Sequence, residues 1–372
     1  MCSGLDSILR GYETHTRHLF DSLAPIYAQR GDSLTLFKRD GAAKRDEVVL
    51  PVLDRDSSVV RALTEVRSLQ KIRYVLDGGS RYYWEHLFFS GRFVAWCAVN
   101  QARFDRILSI EPMVATHVHK ARRLLPGSPR FVFTHGFSLP PRHYLHITDR
   151  VHEVSIENYE RAREAGCAPD KLRLIPHFLP DVPAPRETRA EIRRSLGVVT
   201  ERAIVSVGVI ERGIKRMDYL IEEAARLGPE WSLVLAGPVE APDLIELARA
   251  RLGPRFVHHV LSRDQIDRAY RAADLFVLGS LGEGFGIVIL EAMRAGVPVL
   301  VHDRPLFRWV VKDPAQCADL REPGAVARFA ETLTPDRVAR IGAKNRETFL
   351  ANYAFDAVRE SYDRLIMDPF PR

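Results

Sequence analysis

An alternation of buried-type strands with amphipathic helices, between residues 200 and 302, constrains the fold more than any other feature. Apolar runs at 203–208, 231–236 and 273–279 have the continuous character of strands that are buried on both faces. Each run is followed by a segment whose apolar residues recur at helical spacing. This order requires a parallel sheet with helices on both faces, which binds ligands at the carboxyl ends of its strands. We therefore predict an α/β, doubly wound, Rossmann-like domain.

The length of the chain, 372 residues and 42.2 kDa, predicts two domains. A proline-rich stretch at 176–185 is the natural linker, and an amphipathic helix ending at Gly197 opens the second domain. From Glu347 onward the sequence again has helical periodicity. The first domain is placed at 1–182 and the second at 183–349.

The main candidate binding motif is Glu283-Gly-Phe-Gly-Ile-Val-Ile-Leu-Glu291, because its two glycines stand where a strand is followed by a helix. Unpaired backbone N–H groups and the positive end of the helix dipole favour phosphate at such a turn, and glycine lets the backbone approach closely. An ordinary strand–helix turn is the alternative, since acidic residues favour helix N-termini in any case.

The two glutamates do not suit the phosphates themselves, because like charges repel. Carboxylates suit hydroxyl donors on groups that flank a diphosphate. If about six residues between Glu283 and Glu291 are helical, at about 1.5 Å each, the two side chains are roughly 9 Å apart. That separation is comparable to a diphosphate that joins a ribose to a hexose, so the motif predicts a nucleotide-sugar site.

The E-x7-E stretch, continued as EAM-x-x-G-x-P-V, resembles the signature of family-4 retaining glycosyltransferases of the GT-B fold. The resemblance implies that Glu291 holds the ribose hydroxyls and that Glu283 holds a hydroxyl of the donor sugar. It also implies that Gly284, Phe285 and Gly286 line the sugar and the diphosphate with their backbone amides.

The resemblance further implies two Rossmann-like domains that face a cleft. Residues 1–182 would bind the acceptor, and residues 183–349 would bind the nucleotide-sugar donor. A C-terminal helix, 350–372, would cross back to the first domain, and closure of the cleft would bring the reacting groups together.

In this family the loop after the strand at 203–208 carries an arginine and a lysine that clamp the diphosphate. Lys215 stands seven positions after Gly208, as in some members, but Val209 occupies the usual arginine position. Arg212 is then the candidate second cation, with Arg216 in reserve, and these cations would neutralise charge on the departing diphosphate. Solvated residues of a first helical turn are the alternative interpretation.

Further site residues follow from the same resemblance. The loop after the strand at 256–259 would contact the nucleobase through Val260 and Leu261. His135 matches a histidine that touches the donor sugar beside the reacting carbon, and Glu111, at a neighbouring strand end, is a candidate acceptor ligand. A hydrogen-bonded structural role is the alternative for a lone histidine.

Gly11 resembles the glycine of the first loop, whose backbone amide approaches the donor phosphates and the acceptor. An apolar first strand should precede this loop, yet only Met1-Cys2-Ser3 stands there. Either the innermost strand is lacking or the true start lies upstream, so we expect a truncated first strand. Loss of a central strand would expose the edges of both neighbours.

Charge and cysteine usage bear on partners and compartment. Residues 1–180 carry 26 Lys and Arg against 20 Asp and Glu, whereas the remainder carries 28 of each. This excess on the acceptor side would suit a phosphate-bearing acceptor or peripheral contact with an anionic membrane at its inner face. No arginine–aromatic stripe of a nucleic-acid binder occurs. Four widely spaced cysteines favour reduced thiols in the cytoplasm over a disulfide framework.

Two other signals are set aside. Asp54-Arg-Asp56 matches the D-x-D of metal-dependent transferases but precedes the donor domain, so we expect metal independence and no cofactor. The apolar segment at 82–99 is interrupted by charged residues and is too polar to span a bilayer. It is expected to pack inside the first domain, with an interfacial membrane helix as the alternative.

The combined interpretation is a retaining hexosyltransferase that moves a sugar from a nucleotide-sugar (UDP-, GDP- or dTDP-linked) to a hydroxyl acceptor. The acceptor, a small metabolite, glycan or lipid, stays open, as do the base, the sugar and the oligomeric state. Glu283, His135 and Lys215 are the expected catalytic residues. A catalytically silent nucleotide-sugar binding partner is the first alternative, because of Val209 and the missing strand. A glycoside hydrolase or phosphorylase is disfavoured, because hydrolysis needs two carboxyl groups across one bond.

Overall fold

The computed structural model describes residues 1–5, 11–65, 82–137, 139–184 and 186–370, without the side chains of residues 12, 263 and 264. Residues 6–10 of the expected first loop and position 185 of the expected linker lie outside the described residues. The chain divides into two compact units. Unit 1 is Met1–His177 together with Val358–Arg372, and unit 2 is Phe178–Ala357.

Strands and helices alternate along most of the described chain. The strands are β1 (Leu36–Lys38), β2 (Glu47–Val49), β3 (Arg106–Ser109), β4 (Arg130–His135), β5 (Arg150–Glu153), β6 (Leu172–Leu174), β7 (Arg202–Val207), β8 (Trp231–Ala236), β9 (Phe256–His259), β10 (Leu275–Val277), β11 (Val299–His302) and β12 (Cys317–Ala318). The helices are α1 (Gly11–Arg30), α2 (Ser58–Glu65), α3 (Tyr82–Val99), α4 (Pro112–Lys120), α5 (Ile156–Glu164), α6 (Arg189–Ser195), α7 (Met217–Ala225), α8 (Pro242–Leu252), α9 (Arg263–Ala272), α10 (Ile287–Arg294), α11 (Pro305–Val311), α12 (Ala325–Glu331), α13 (Pro335–Asn352) and α14 (Phe355–Met367).

Unit 1 is built on a parallel sheet of order β3-β4-β5-β6, and β1 and β2 form a separate parallel pair. Helix α3 buries Phe89, Phe93 and Cys97 against Phe37 of β1 and Phe131 of β4. The apolar segment at 82–99 is therefore a core helix of unit 1. Within the described ranges, no helix has the length and apolar character needed to cross a bilayer.

The first three residues lie between β1 and β3. Cys2 forms a parallel bridge with Lys38, and its N–H donates to Phe37 O at 3.0 Å. The terminal amine of Met1 donates to Leu108 O at 2.8 Å. These residues thus bond to a strand on each side, although they are too few to form a strand. An apolar cavity of about 120 Å³ adjoins Met1, with walls from α1, β1 and β3.

The C-terminal segment is fixed to unit 1 by Arg150. The buried guanidinium of Arg150 donates to Leu365 O at 2.7 Å and to Pro369 O at 2.6 Å, so it caps the carbonyl end of α14. The sequence predicts one returning helix, 350–372. The structure instead has α13 up to Asn352, a break, and α14 from Phe355.

Unit 2 contains a six-stranded sheet of order β12-β11-β10-β7-β8-β9, in which every pair is parallel. Its core combines apolar side chains of the central strands with those of the flanking helices, such as Leu233, Leu275, Leu220 and Leu244. The structure contains the alternation of strands and helices that the sequence predicts for residues 200–302. The predicted α/β class is therefore confirmed.

Glycines permit close backbone contact where β7 and β8 end. Gly237 has φ +154°, and a Cβ added there would lie 1.9 Å from Gly208 O. Only a residue without a side chain fits this approach. The loops after β7 and β8 can therefore lie close together at the carboxyl edge of the sheet.

Candidate functional site

The turn between β10 and α10 forms the centre of the candidate donor site in unit 2. A Cβ on Gly279 would lie 2.8 Å from Lys215 O, so this glycine lets the turn lie against the loop after β7. Gly286 precedes α10 with φ +87°, and a side chain there would also meet Ile289. Both glycines are required by geometry, which explains the glycine-rich sequence of the turn.

Glu283 projects from this turn and accepts two hydrogen bonds on the same oxygen. Lys215 Nζ lies 2.5 Å from Glu283 Oε1, and Ser280 Oγ donates to that atom at 2.8 Å. The Lys215 side chain is 21% exposed and that of Glu283 is 15% exposed, so the ion pair is partly buried and still accessible to water. The aliphatic stem of Lys215 packs on Gly208, where an added Cβ would approach it to 3.1 Å.

Glu291 lies within α10, and one of its oxygens is held by a tyrosine. The Tyr270 hydroxyl donates to Glu291 Oε2 at 2.6 Å. Burial first, and the Glu291 carboxylate second, raise the pKa of Tyr270 well above its ordinary value, so the phenol keeps its proton. The sequence analysis missed Tyr270, which has the spacing of an ordinary core residue of an amphipathic helix.

The helical spacing assumed for the two glutamates is wrong. Helix α10 begins at Ile287, so only residues 287–290 of those between Glu283 and Glu291 are helical, not about six. The physical reason is the left-handed conformation of Gly286, which stops the helix from extending toward Glu283. The separation of roughly 9 Å derived from helical rise therefore has no basis in this turn.

The three candidate cations have different partners. Lys215 meets Glu283, as described. Arg212 is half exposed and makes a two-pronged ion pair with Asp243, at the start of α8. Arg216 donates to Gly279 O at 3.2 Å and to Leu320 O at 2.9 Å, which is a structural role. Among these three cations, only Lys215 forms an ion pair with a side chain of the glycine turn.

The remaining donor-side positions flank these groups. Phe285 is buried, with its ring 6.3 Å from that of Trp309, so at 284–286 only backbone is suited to ligand contact. Val260 and Leu261 follow β9, and Val260 is 68% exposed. An exposed aliphatic side chain after a parallel strand can pack on a flat aromatic base, so Val260 stays a candidate base contact.

His135 ends β4 in unit 1 and belongs to a buried hydrogen-bond network. Nδ1 of His135 donates to Glu153 Oε2 at 2.8 Å, and Tyr144 Oη donates to Glu153 Oε1 at 2.6 Å. The N–H of Leu139 donates to His135 Nε2 at 3.3 Å, which fixes the tautomer. Burial, followed by the charge of Glu153, raises the pKa of Tyr144. His135 is 1% exposed and accepts one hydrogen bond from the loop that follows it.

The sequence analysis missed Glu153 and Tyr144. A signal for Glu153 existed, because His135 and Glu153 end adjacent parallel strands and are partners in register. Carboxyl ends of neighbouring parallel strands meet at one edge of the sheet. Assigning that register requires the strand order, which the sequence alone does not give.

Glu111 is committed to protein partners in unit 1. It accepts from Ser3 N at 2.7 Å and from Ser3 Oγ at 2.6 Å, and His86 Nε2 lies 3.5 Å away. Burial alone would raise the pKa of Glu111, yet the hydrogen bonds from His86 and Ser3 outweigh it and lower the pKa to about 2. Glu111 thus anchors the first residues to the end of β3.

Gly11 and the D-x-D segment have other surroundings. Gly11 is the exposed first residue of α1. Asp54 lies 3.3 Å from Arg39, a residue that also pairs with the buried Glu85. Within the part of the chain that the structure describes, no set of His, Cys, Asp and Glu is arranged to hold a metal ion. The four cysteines are unpaired thiols.

Comparison with known proteins bears on this site. Residues 188–334, which contain the Lys215 loop and the glycine turn, match the family model described as glycosyl transferases group 1. The matched residues all lie in unit 2. An alpha-maltose-1-phosphate synthase of Mycolicibacterium smegmatis is 31% identical over 218 residues, which are 52% of this chain and 55% of that relative. A D-inositol 3-phosphate glycosyltransferase of the same species is 30% identical over 195 residues, 49% of this chain and 44% of the relative. The chain thus spans about half the length of these two relatives.

Solved structures show the fold. A sucrose-phosphate synthase from Thermosynechococcus elongatus superposes with a TM-score of 0.73 at 19% identity, covering 98% of this chain and 94% of that one. HepE of Anabaena, in complex with UDP and glucose, gives a TM-score of 0.68 at 15% identity, with coverage of 98% and 97%. The chain therefore has the α/β architecture of GT-B glycosyltransferases, with two Rossmann-like units, as the sequence predicts.

Proposed function

We propose that this chain is a retaining hexosyltransferase that transfers a sugar from a nucleotide-sugar to a hydroxyl acceptor. The observation that carries the proposal is the meeting of Lys215 and Ser280 on Glu283, in a glycine turn that leads directly into α10. A cation, a carboxylate and a helix N-terminus at the carboxyl ends of two neighbouring strands, β7 and β10, are the features that suit a sugar diphosphate.

Each group of this turn has a distinct task in the proposal. The backbone amides at 284–286 and the start of α10 bind the diphosphate, and Glu291 accepts hydrogen bonds from the ribose hydroxyls. Glu283 accepts from a hydroxyl of the donor sugar. When the diphosphate arrives, Lys215 turns from Glu283 to the phosphate oxygens, because a dianion attracts the ammonium more strongly than one carboxylate does. Arg212 reaches the same oxygens only by leaving Asp243.

The chemistry is proposed to proceed through an oxocarbenium-like transition state. The main task of the protein is then to stabilise the negative charge of the departing diphosphate and to keep water out. The departing phosphate takes the proton of the acceptor hydroxyl on the same face of the sugar, so configuration is retained. No carboxylate nucleophile and no metal ion are assigned. In this proposal His135 shapes the reacting face, with its ring held by Glu153 and Tyr144.

Unit 1 is proposed to bind the acceptor, and Gly11 is one of the proposed contacts. The excess of positive charge in residues 1–180 would favour a phosphate-bearing acceptor. The names of the two relatives, a maltose-1-phosphate synthase and an inositol 3-phosphate glycosyltransferase, support that choice. Reduced cysteine thiols fit a cytoplasmic enzyme.

Nucleotide binding tests the donor assignment. Thermal shifts are measured with UDP, GDP, ADP and dTDP, and UDP is the first choice because the HepE structure holds it. A nucleotide at a hundred times its dissociation constant should stabilise the fold by about 2.7 kcal/mol. Glu291→Ala should abolish that shift, whereas Arg212→Ala should retain most of it. Unchanged nucleotide affinity of Glu291→Ala would overturn the assignment.

Product analysis tests the reaction itself. The protein is incubated with the nucleotide-sugar whose base binds, with and without a panel of phosphorylated and neutral hydroxyl acceptors. Transfer should require an acceptor, and the anomeric proton coupling in the product should match that of the donor. Rapid release of free sugar without acceptor would indicate a hydrolase. Donor binding without turnover on any acceptor would indicate a silent binding partner.

A further inference from the structure

A phenol–carboxylate contact lies directly behind the proposed ribose ligand. Tyr270, in the last turn of α9, is fully buried, and its hydroxyl donates to Glu291 Oε2 at 2.6 Å. The Tyr270 ring also packs on Phe276 of β10, with ring centroids 5.4 Å apart. Packing in the core of unit 2 therefore fixes the position of the Tyr270 hydroxyl.

This contact fixes a side chain that otherwise has several rotamers. A glutamate in a helix can rotate about three bonds, and ordering it for a ligand has an entropic cost. The short charge-assisted bond from Tyr270 holds the carboxylate before the ligand arrives. An ionised carboxylate has about four lone-pair sites, so a bond from the phenol does not by itself prevent a carboxylate from accepting hydrogen bonds from sugar hydroxyls.

We propose that Tyr270 is a positioning residue that aims Glu291 at the 2′- and 3′-hydroxyls of the nucleotide, and so sets the preference for ribonucleotides over 2′-deoxyribonucleotides. The inference rests on the proposed function, because it takes Glu291 as the ribose ligand. It goes beyond that proposal by assigning the orientation of Glu291, and the sugar selectivity that follows, to a buried residue of a different helix.

Unit 2 offers a matched control for a purely structural role of the phenol. Tyr353 is equally buried, and its hydroxyl donates to Val310 O at 2.8 Å and to Trp309 O at 3.2 Å. Tyr270→Phe and Tyr353→Phe remove the same atom from the same unit. Only the first removes a donor from Glu291. A loss of selectivity confined to Tyr270→Phe therefore cannot come from general loosening of the core.

The experiment is calorimetric titration of the full chain with the ribonucleoside diphosphate that binds among UDP, GDP and ADP, and with its 2′-deoxy counterpart. Wild type should prefer the ribonucleotide by about tenfold or more, since one hydrogen bond to a charged group is lost in the deoxy ligand. Tyr270→Phe should reduce that preference to within about threefold, mainly by weakening ribonucleotide binding. Tyr353→Phe should keep the wild-type preference.

Two near-isosteric replacements keep the test decisive if Tyr270→Phe does not fold. Position 270 is filled with p-aminophenylalanine, which keeps a donor, or with p-methylphenylalanine, which has none. The first should restore the ribonucleotide preference and the second should not. An unchanged preference in the donor-free variants overturns the role of Tyr270 while nucleotide binding still supports the proposed function. If the wild-type chain binds none of UDP, GDP, ADP and dTDP, the proposed function fails, and this inference fails with it. Binding of dTDP alone would overturn this inference and leave the proposed function standing.

Discussion

Lys215 Nζ and Glu283 Oε1, from loops 68 residues apart in the sequence, meet at 2.5 Å in unit 2. Ser280 donates to the same oxygen, so the carboxylate is held from two sides. A partly buried charge is costly unless it is paired, and each of these residues compensates the other when no ligand is bound. A sugar diphosphate can replace both partners at once, with phosphate oxygens for Lys215 and a sugar hydroxyl for Glu283.

Removal of the Lys215 ammonium should impair the chemical step. We expect Lys215→Met to lower kcat/KM by about 10²- to 10³-fold, because a charged donor to the leaving group acts mainly in the transition state. Arg212→Met is the control, and it should stay within about threefold of wild type, because Arg212 faces Asp243. Steady-state kinetics with the active donor measure both. Equal losses in the two variants would contradict the separate roles.

Loss of the Arg150 guanidinium should destabilise unit 1. Arg150→Met removes the charged donor from the buried carbonyl oxygen of Leu365 and from that of the exposed Pro369, at an expected cost of about 2 kcal/mol. Arg130→Met removes an exposed ion pair with Asp149 and should cost less than about 1 kcal/mol. Urea unfolding of the two variants provides the comparison. Similar free energies of unfolding for both would show that α14 is held by other contacts.

Acid should destabilise unit 1 through its buried histidines. Burial, with a smaller effect of His152, lowers the pKa of His177 to about 3, and burial lowers that of His152 to about 4. Between pH 6.5 and these values the unfolded chain binds protons that the folded unit does not, so stability falls as pH falls. Glu111, whose pKa is lowered to about 2, contributes to the pH dependence of stability only below its ordinary pKa of 4.5. The window from pH 6.5 to 5 therefore reports on the histidines.

Replacing His177 should weaken this pH dependence. The variant takes up one proton fewer on unfolding. When the pH is lowered from 6.5 to 5, the free energy of unfolding of His177→Phe should therefore fall by about 2 kcal/mol less than that of wild type. His146→Phe is the control, because it removes an exposed histidine of the same unit. Free energies of unfolding at pH 7.5, 6.5, 5.75 and 5.0 measure it. Parallel slopes for wild type and His177→Phe would refute the assignment.

A side chain at Gly237 should disrupt the carboxyl edge of the unit 2 sheet. Gly237→Ala places a methyl group 1.9 Å from Gly208 O, so the two strand ends must separate, at an expected cost of at least about 3 kcal/mol. Gly197→Ala has positive φ but no atom within 4 Å, and should cost only about 1–2 kcal/mol. Thermal unfolding compares the two. A milder effect at Gly237 than at Gly197 would contradict the close approach.

The sequence predicts unit 2 well because its information is local. Continuous apolar runs, helical periodicity and glycines at strand ends identify β7, β8, β10 and the turn before α10. The same local pattern predicts the wrong start for α10. Gly286 adopts the left-handed conformation, but a glycine in the sequence can also adopt helical angles, so the sequence does not show where the helix begins.

By itself, the sequence determined the α/β class and the residue types of the glutamate–glycine turn. The length of the chain predicted two domains. Only the tertiary structure decided which groups meet: Lys215 with Glu283, Tyr270 with Glu291, and His135 with Glu153. The physical reason is that these contacts join residues distant in sequence, through strand order and register. Strand order depends on how whole faces pack, which no single segment encodes.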